Sequence, residues 1–238
     1  MAGQIAVVTG ASSGIGRAIA EALSEQGVRL CLVGRKSETL EGIGQPSTRI
    51  KCYQADLADD DDLRRLATCI RQDCGQVDIL VHSAGVCRLG DLADAPIGDL
   101  DWQYRVNVRA PYGLTQALCP LIRSCRGQVV FINSSVGMNA RGGVSQYAAT
   151  KHALKAIADS LREEVNPDGV RVLSVFIGRT ASPMQAAVHA AEMRPYHPET
   201  LLQPEDVASV ILHALSLPRT AEVTDISVRP LLKPNERV

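Results

Sequence analysis

Short apolar runs of strand length alternate along the chain with longer stretches whose apolar positions recur every three or four residues. The runs cover 5–9, 30–34, 50–55, 79–83, 129–133, 170–176 and 226–228. Most are nearly continuous in Val, Ile and Leu. A strand with one wet face alternates apolar with polar residues, whereas a parallel strand covered on both faces does not. The longer stretches predict helices over 15–26, 60–74, 100–123, 146–164 and 204–216. Strand–helix alternation predicts right-handed crossovers and an α/β fold: a doubly wound parallel sheet of about seven strands with helices on both faces. No linker-like segment, internal repeat or change of composition marks a second unit, so the 238 residues are expected to form a single domain, 1–238.

Two local features need a structural reading. Four consecutive acids, Asp59 to Asp62, look like a metal cluster, but consecutive side chains radiate around a helix. Acids in a first turn favour the positive end of the helix dipole, so the run is read as a solvated helix start. Pro111 and Pro120 fall inside the long predicted helix 100–123, where they kink it, or where Pro120 marks its last turn.

Composition narrows the function classes. With 45% hydrophobic residues, 21% charged residues and a net charge of -1, the chain has no strong field for nucleic acid or an anionic membrane. No apolar run reaches bilayer length, and the first residues lack the basic region and apolar stretch of a secretory signal. The seven cysteines are odd in number and contain no Cys-x-x-Cys, so neither a disulfide framework nor a zinc knuckle is expected. Buried reduced thiols, with Cys31 and Cys52 inside strand runs, are expected in a cytoplasmic protein.

The first predicted strand runs into Thr9-Gly10-Ala11-Ser12-Ser13-Gly14-Ile15-Gly16 and then into a helix. Such a unit turns sharply, lets backbone approach a pyrophosphate and aims helix N–H groups at the anion. The spacing is not Gly-x-Gly-x-x-Gly, and the Gly-Lys-Ser/Thr of nucleotide hydrolases is missing. The second strand ends Val33-Gly34-Arg35-Lys36, with no acid for a ribose 2′-hydroxyl. A guanidinium can pair bidentately with a 2′-phosphate, so Arg35 points to NADP(H) over NAD(H). Further along, Tyr147 and Lys151 lie one helical turn apart, and Ser134, thirteen residues before Tyr147, ends an apolar run. A free phenol has a pKa of about 10. A neighbouring ammonium and an oxidised nicotinamide favour phenolate, so Tyr147 can exchange a proton with a carbonyl or alcohol.

Together these motifs, in this order and spacing from position 4 to about 229, resemble the short-chain dehydrogenase/reductase family in its short single-domain branch. The resemblance implies a Rossmann-like domain and a catalytic set of Ser134, Tyr147, Lys151 and Asn107. Lys151 would also bind the nicotinamide ribose, and Asn107 would hold a water that relays protons towards it. Ser134, rather than Ser135, would bond the substrate oxygen. Asp56 and Leu57 match the adenine-binding pair, and Ser83, Ala84 and Gly85 approach the cofactor. Gly10, Ser12, Ser13, Gly14, Ile15 and Gly16 complete the nucleotide site, with Gly178 and Thr180 at the nicotinamide amide. The chain departs from the family at His82-Ser83, where Asn-Asn is usual, and at Ile177, where proline is usual. His82 is read as structural, able to tie neighbouring backbones.

The resemblance implies no metal. The segment 181–202 sits where the family keeps a short substrate lid, with His189, Met193, Tyr196 and His197 as candidate contacts. The expected activity is NADPH-dependent reduction of a small-molecule carbonyl to an alcohol, or the reverse, in a homodimer or homotetramer. Two alternatives stay open. One is a 3-oxoacyl-carrier-protein reductase, with Arg105, Arg109 and Arg141 receiving the acidic carrier. The other is a non-catalytic NADP-binding regulator or scaffold. A Ser/His/Asp hydrolase is disfavoured, because no Gly-x-Ser-x-Gly elbow surrounds Ser134.

Overall fold

The computed structural model describes residues 1–43 and 50–231. Strands β1 (Ile5–Thr9), β2 (Arg29–Gly34), β3 (Ile50–Gln54), β4 (Ile79–His82), β5 (Gln128–Ser134), β6 (Arg171–Ile177) and β7 (Asp225–Val228) form one seven-stranded sheet in the order β3-β2-β1-β4-β5-β6-β7. Every pairing is parallel. The winding reverses between β1 and β4, and in doubly wound sheets ligands bind outside the carboxyl ends of the strands at that point. Register sets Thr9 level with both Val33 and His82, so the loops after β1, β2 and β4 open onto the same crevice.

Helices α1 (Gly14–Glu25), α2 (Asp60–Asp73), α3 (Ile97–Tyr104), α4 (Ala110–Ser124), α5 (Ser145–Val165), α6 (Pro183–Ala191) and α7 (Pro204–Ser216) surround the sheet. Successive strand side chains point to opposite faces, so β1 feeds two cores. Ala6 and Val8 pack with Ile19 and Leu23 of α1 and Ile211 and Leu215 of α7. Ile5 and Val7 pack with Ile70 of α2, Leu114 and Leu118 of α4, and Leu154 of α5. The two outermost strands, β3 and β7, have a neighbour on one side only, and of their residues only Tyr53 is buried. Cys52, expected to be buried, is therefore exposed on β3, whereas Cys31 on the inner strand β2 is buried.

The acidic run starts α2 as predicted: Asp59 caps the helix, its Oδ1 accepting from Asp61 N and Asp62 N at 2.9 Å each. The long helix expected over 100–123 is divided. α3 passes into a π-helical stretch, Arg105–Arg109, before α4 begins. There the Ala110 N–H reaches back five residues to the Arg105 carbonyl. Pro111 follows at the start of α4 and has no N–H with which to resume the ordinary ladder. Pro120 stays inside α4. The widened turn holds Asn107.

Candidate active site

Thr9 closes β1 and ties it to the end of β4. Its hydroxyl donates to the Val81 carbonyl at 3.2 Å and accepts from the N–H groups of Ser83 and Ala84, each at 3.2 Å. The tie expected of His82 thus falls to Thr9. His82 is itself buried, with Nε2 2.8 Å from Thr115 Oγ1 and its ring stacked 5.0 Å from Phe131. Burial drives its pKa down to about 3, so the imidazole is neutral and structural.

The glycine loop comes into backbone contact with this joint. Gly10 has φ +67°, and a Cβ there would lie 2.7 Å from the Ala84 backbone; a Cβ on Gly16 would lie 2.3 Å from the Gly10 carbonyl oxygen. Larger residues would fill the crevice that these glycines leave open. Ser13 precedes α1 without a side-chain cap, and the first turn of α1 carries no acid. The first N–H groups of α1 therefore suit an anion such as a dinucleotide pyrophosphate. One cleft is lined by Gly10, Ser12, Ser13, Gly14, Ile15, Gly16, Arg35, Asp56, Leu57, Ser83, Ala84 and Gly85. Arg35 is exposed at its edge and has no ion pair among the described residues. Asp56 Oδ1 accepts from Ala58 N at 2.9 Å, and Asp62 Oδ2 accepts from Asp56 N at 2.8 Å, which fixes the loop after β3.

Ser134 ends β5, and Tyr147 and Lys151 occupy the first two turns of α5. Ser134 and Tyr147 line one cleft, and the Ser134 hydroxyl accepts from Val136 N at 3.4 Å. Lys151 is 4% exposed; its Nζ donates to the Ile132 carbonyl at 2.9 Å and sits 5.7 Å from the Tyr147 ring centroid. Burial lowers the Lys151 pKa to about 8. Burial pushes the Tyr147 phenol above its ordinary value, the Cys87 thiol adds to the rise, and the nearby Ser134 hydroxyl works against it. Ser135 is exposed and opens a short 3-10 turn, Ser135–Gly137.

The sequence reading missed the group that holds these residues together. Asn133, 1% exposed, accepts from Ser134 N at 2.7 Å and donates from Nδ2 to the Lys151 carbonyl at 3.1 Å. A lone amide at the end of the run Val129-Val130-Phe131-Ile132 was its only signal. Asn107 reaches the site from the π-helical turn. Its Oδ1 accepts from Val86 N at 2.8 Å, and its Nδ2 donates to Val86 O at 2.8 Å and Thr150 Oγ1 at 3.1 Å. The side chain is thus engaged in pinning the segment after β4 to α5. A Cβ on Gly85 would lie 3.5 Å from Asn107 Oδ1 and 3.9 Å from Lys151 Nζ, so these three positions converge.

A second cleft, about 220 Å³, opens in front of Ser134 and Tyr147 and takes in Gly178 and Thr180. Ile15, Ser182 and Met184 line both clefts, so the two are continuous. The segment 181–202 contributes α6, capped by Ser182, whose Oγ accepts from Gln185 N at 3.2 Å. α6 turns Met184, Gln185 and Val188 to the cleft. The four residues proposed there from sequence do not line it. His189 is buried against Arg179, Gln185 and Tyr196, and Tyr196 holds Ser182 N at 3.1 Å. Met193 is 92% exposed, and His197 faces Glu199. His189 and Tyr196 fasten the segment.

The short chain dehydrogenase family matches residues 4–193. An uncharacterized oxidoreductase of Staphylococcus epidermidis is 32% identical over 230 residues, covering 96% of this chain and 97% of its own. A metagenomic short-chain oxidoreductase solved with NADP is 30% identical, with a TM-score of 0.82 over 98% of this chain and 99% of the other. A short chain dehydrogenase from Shigella flexneri, complexed with NADP, is 27% identical, with a TM-score of 0.85 over 95% and 97% of the two chains. A seven-stranded parallel sheet, a glycine loop at its reversal point and this agreement along the sequence lead to one conclusion: the chain belongs to the short-chain dehydrogenase family of oxidoreductases.

Proposed function

We propose that the protein interconverts a small carbonyl compound and its alcohol with NADP(H), using Ser134, Tyr147 and Lys151. The observation that carries this reading is that Ser134 and Tyr147 line one cleft beside buried Lys151, where that cleft joins the nucleotide cleft. The cofactor supplies or accepts the hydride. In reduction, Ser134 and Tyr147 hold the carbonyl oxygen, and Tyr147 gives it a proton as negative charge develops. In oxidation, Tyr147 takes that proton back. Lys151 together with a bound oxidised nicotinamide would favour the phenolate against the effect of burial, and Lys151 would bind the ribose. Asn107 keeps the loop after β4 in place. Arg35 at the end of β2, with no ion pair among the described residues, supports NADP(H) over NAD(H), as do the NADP complexes of the two solved relatives.

The carrier-protein alternative finds less support: Arg109 pairs with Asp60, and Arg141 lines the catalytic cleft. The chain acts as one domain with 181–202 as a short lid, and it associates through α4 and α5, which border an outer groove lined by Tyr112, Cys119, Ile157 and Leu161. Among the described residues, no helix is long and apolar enough to cross a membrane. All seven thiols are free, in keeping with the proposed cytoplasmic setting.

The test is NADPH consumption across a carbonyl panel with Tyr147→Phe, which keeps the ring and removes the proton donor. Turnover should fall by at least about a hundredfold while NADPH still binds. Ser134→Ala should be severe and Ser135→Ala mild. Near-normal turnover by Tyr147→Phe would overturn the mechanism.

A further inference from the structure

We infer that the substrate carries a carboxylate and that Arg141 is the side chain that holds it. The inference rests on the carbonyl–alcohol reading of the same site. The described residues lining the cleft in front of Ser134 and Tyr147 include two cations, Arg141 and Arg179, and no Asp or Glu. The two arginines are not equivalent. Arg179 is engaged: its Nη2 lies 2.7 Å from both carboxylate oxygens of Glu192, and its side chain is only 20% exposed. Arg141 meets that same carboxylate at 3.4 Å, with its side chain 52% exposed. Charge-assisted N–H···O bonds normally run to about 2.7–2.9 Å. A single carboxylate thus serves two guanidinium groups, which leaves an excess positive charge concentrated on Arg141. Asp91 borders the adjoining outer shelf beside Arg141 and does not line the cleft.

The excess charge lies near the chemistry. The Cys87 thiol, in the wall of the cleft, feels Lys151, Arg141 and Arg88, with Glu192 acting in the opposite sense. Much of the remaining lining is apolar, including Leu89, Val144, Met184 and Val188. A charge pair formed against such a wall is screened less than one in open water. The cleft in front of Ser134 and Tyr147 holds about 220 Å³, room for a short substrate. The geometry therefore points to a short oxo acid and its hydroxy acid. One hydride from NADPH and one proton from Tyr147 convert the first into the second and leave NADP⁺; the carboxylate takes no part beyond binding.

Two measurements test this. The first compares kcat/KM for short oxo acids and their methyl esters in the wild type, Arg141→Gln and Arg141→Lys. The wild type should prefer the acid by about tenfold or more, chiefly through KM, which corresponds to about 1.4 kcal/mol. In Arg141→Gln the acid-to-ester ratio should fall towards one, and Arg141→Lys should restore part of it. Esters reduced as well as acids by the wild type, or a ratio unchanged in Arg141→Gln, would overturn the inference. The second is calorimetric titration of butanoate, and separately of inorganic phosphate, into the protein saturated with NADP⁺. Butanoate should bind the wild type and lose that binding in Arg141→Gln. Equal butanoate binding to both proteins, or a clear preference for phosphate, would overturn it. Arg141-dependent butanoate binding without turnover of any carbonyl would sink the redox reading and leave the carboxylate assignment standing.

Discussion

Replacing Asn133 with alanine removes one side chain that holds two of the proposed catalytic residues by their backbones. The lost bonds are those from Ser134 N, 2.7 Å, and to the Lys151 carbonyl, 3.1 Å, at a position 1% exposed. Leaving the Ser134 N–H unpaired costs about 1–3 kcal/mol. Losing the bond to the Lys151 carbonyl, which keeps its own place in the ladder of α5, adds about 0.5–1.5 kcal/mol, for about 1.5–4.5 kcal/mol in all. For a chain of this size each kcal/mol moves Tm by about 2–4 °C, so a fall of about 3–18 °C is expected. The functional effect is separable from the loss of stability. Ser134 and Lys151 would lose their mutual reference, and misplacement on the ångström scale costs about a hundredfold in rate. The expected kcat loss is therefore about ten- to a hundredfold at a temperature where the variant is folded. NADPH affinity should change little, because the glycine loop and Arg35 are untouched. Asn166→Ala is the control: it removes side-chain bonds to Val170 O and Glu222 at the far end of α5. It should lower Tm modestly and leave kcat alone. The assays are thermal melting, NADPH titration and steady-state kinetics on both variants. A lowered Tm with wild-type kcat in Asn133→Ala would refute the positioning role; an unchanged Tm would refute the energetic reasoning.

Two further outcomes follow from charges at the site. Arg35→Ala should weaken NADPH binding roughly ten- to a hundredfold, the scale of a lost charge-assisted contact, and leave NADH nearly unchanged in a fluorescence titration. Equal losses for both cofactors would remove the 2′-phosphate assignment. Lys151 titrates at about 8 in the folded protein against an ordinary 10.5, because burial disfavours its charge. The unfolded chain then binds more protons between those values, so this lysine's penalty on stability is full below about 8 and fades as pH rises to about 10.5. The melting advantage of Lys151→Met over the wild type in cofactor-free protein should shrink across that window. An advantage independent of pH would show that the ammonium carries no burial penalty.

Much of this architecture is local and therefore written in sequence spacing. Central strands covered on both faces need continuous apolar runs, and the Gly10–Gly16 loop needs small residues at fixed offsets. Tyr147 and Lys151 share a helix face because they are one turn apart. Strand position within the sheet is not local, and Cys52 shows the consequence: an outermost strand looks apolar in sequence yet faces water. Thr9 bonds partners 72 to 75 residues away because register and strand order bring β1 and β4 together. Asn133, Asn107 and the Arg141–Glu192–Arg179 group acquire their roles in the same way, from partners that no spacing rule predicts. His189 appeared free to meet a substrate, and the packing of α6 turned it towards Arg179 and Tyr196 instead. The sequence alone determined the alternating elements, the nucleotide loop and the local tyrosine–lysine pair, because those depend on short-range geometry. Tertiary structure decided which polar groups meet, which strand lies at the edge and which arginine keeps an uncompensated charge, because those depend on how distant segments are brought into contact.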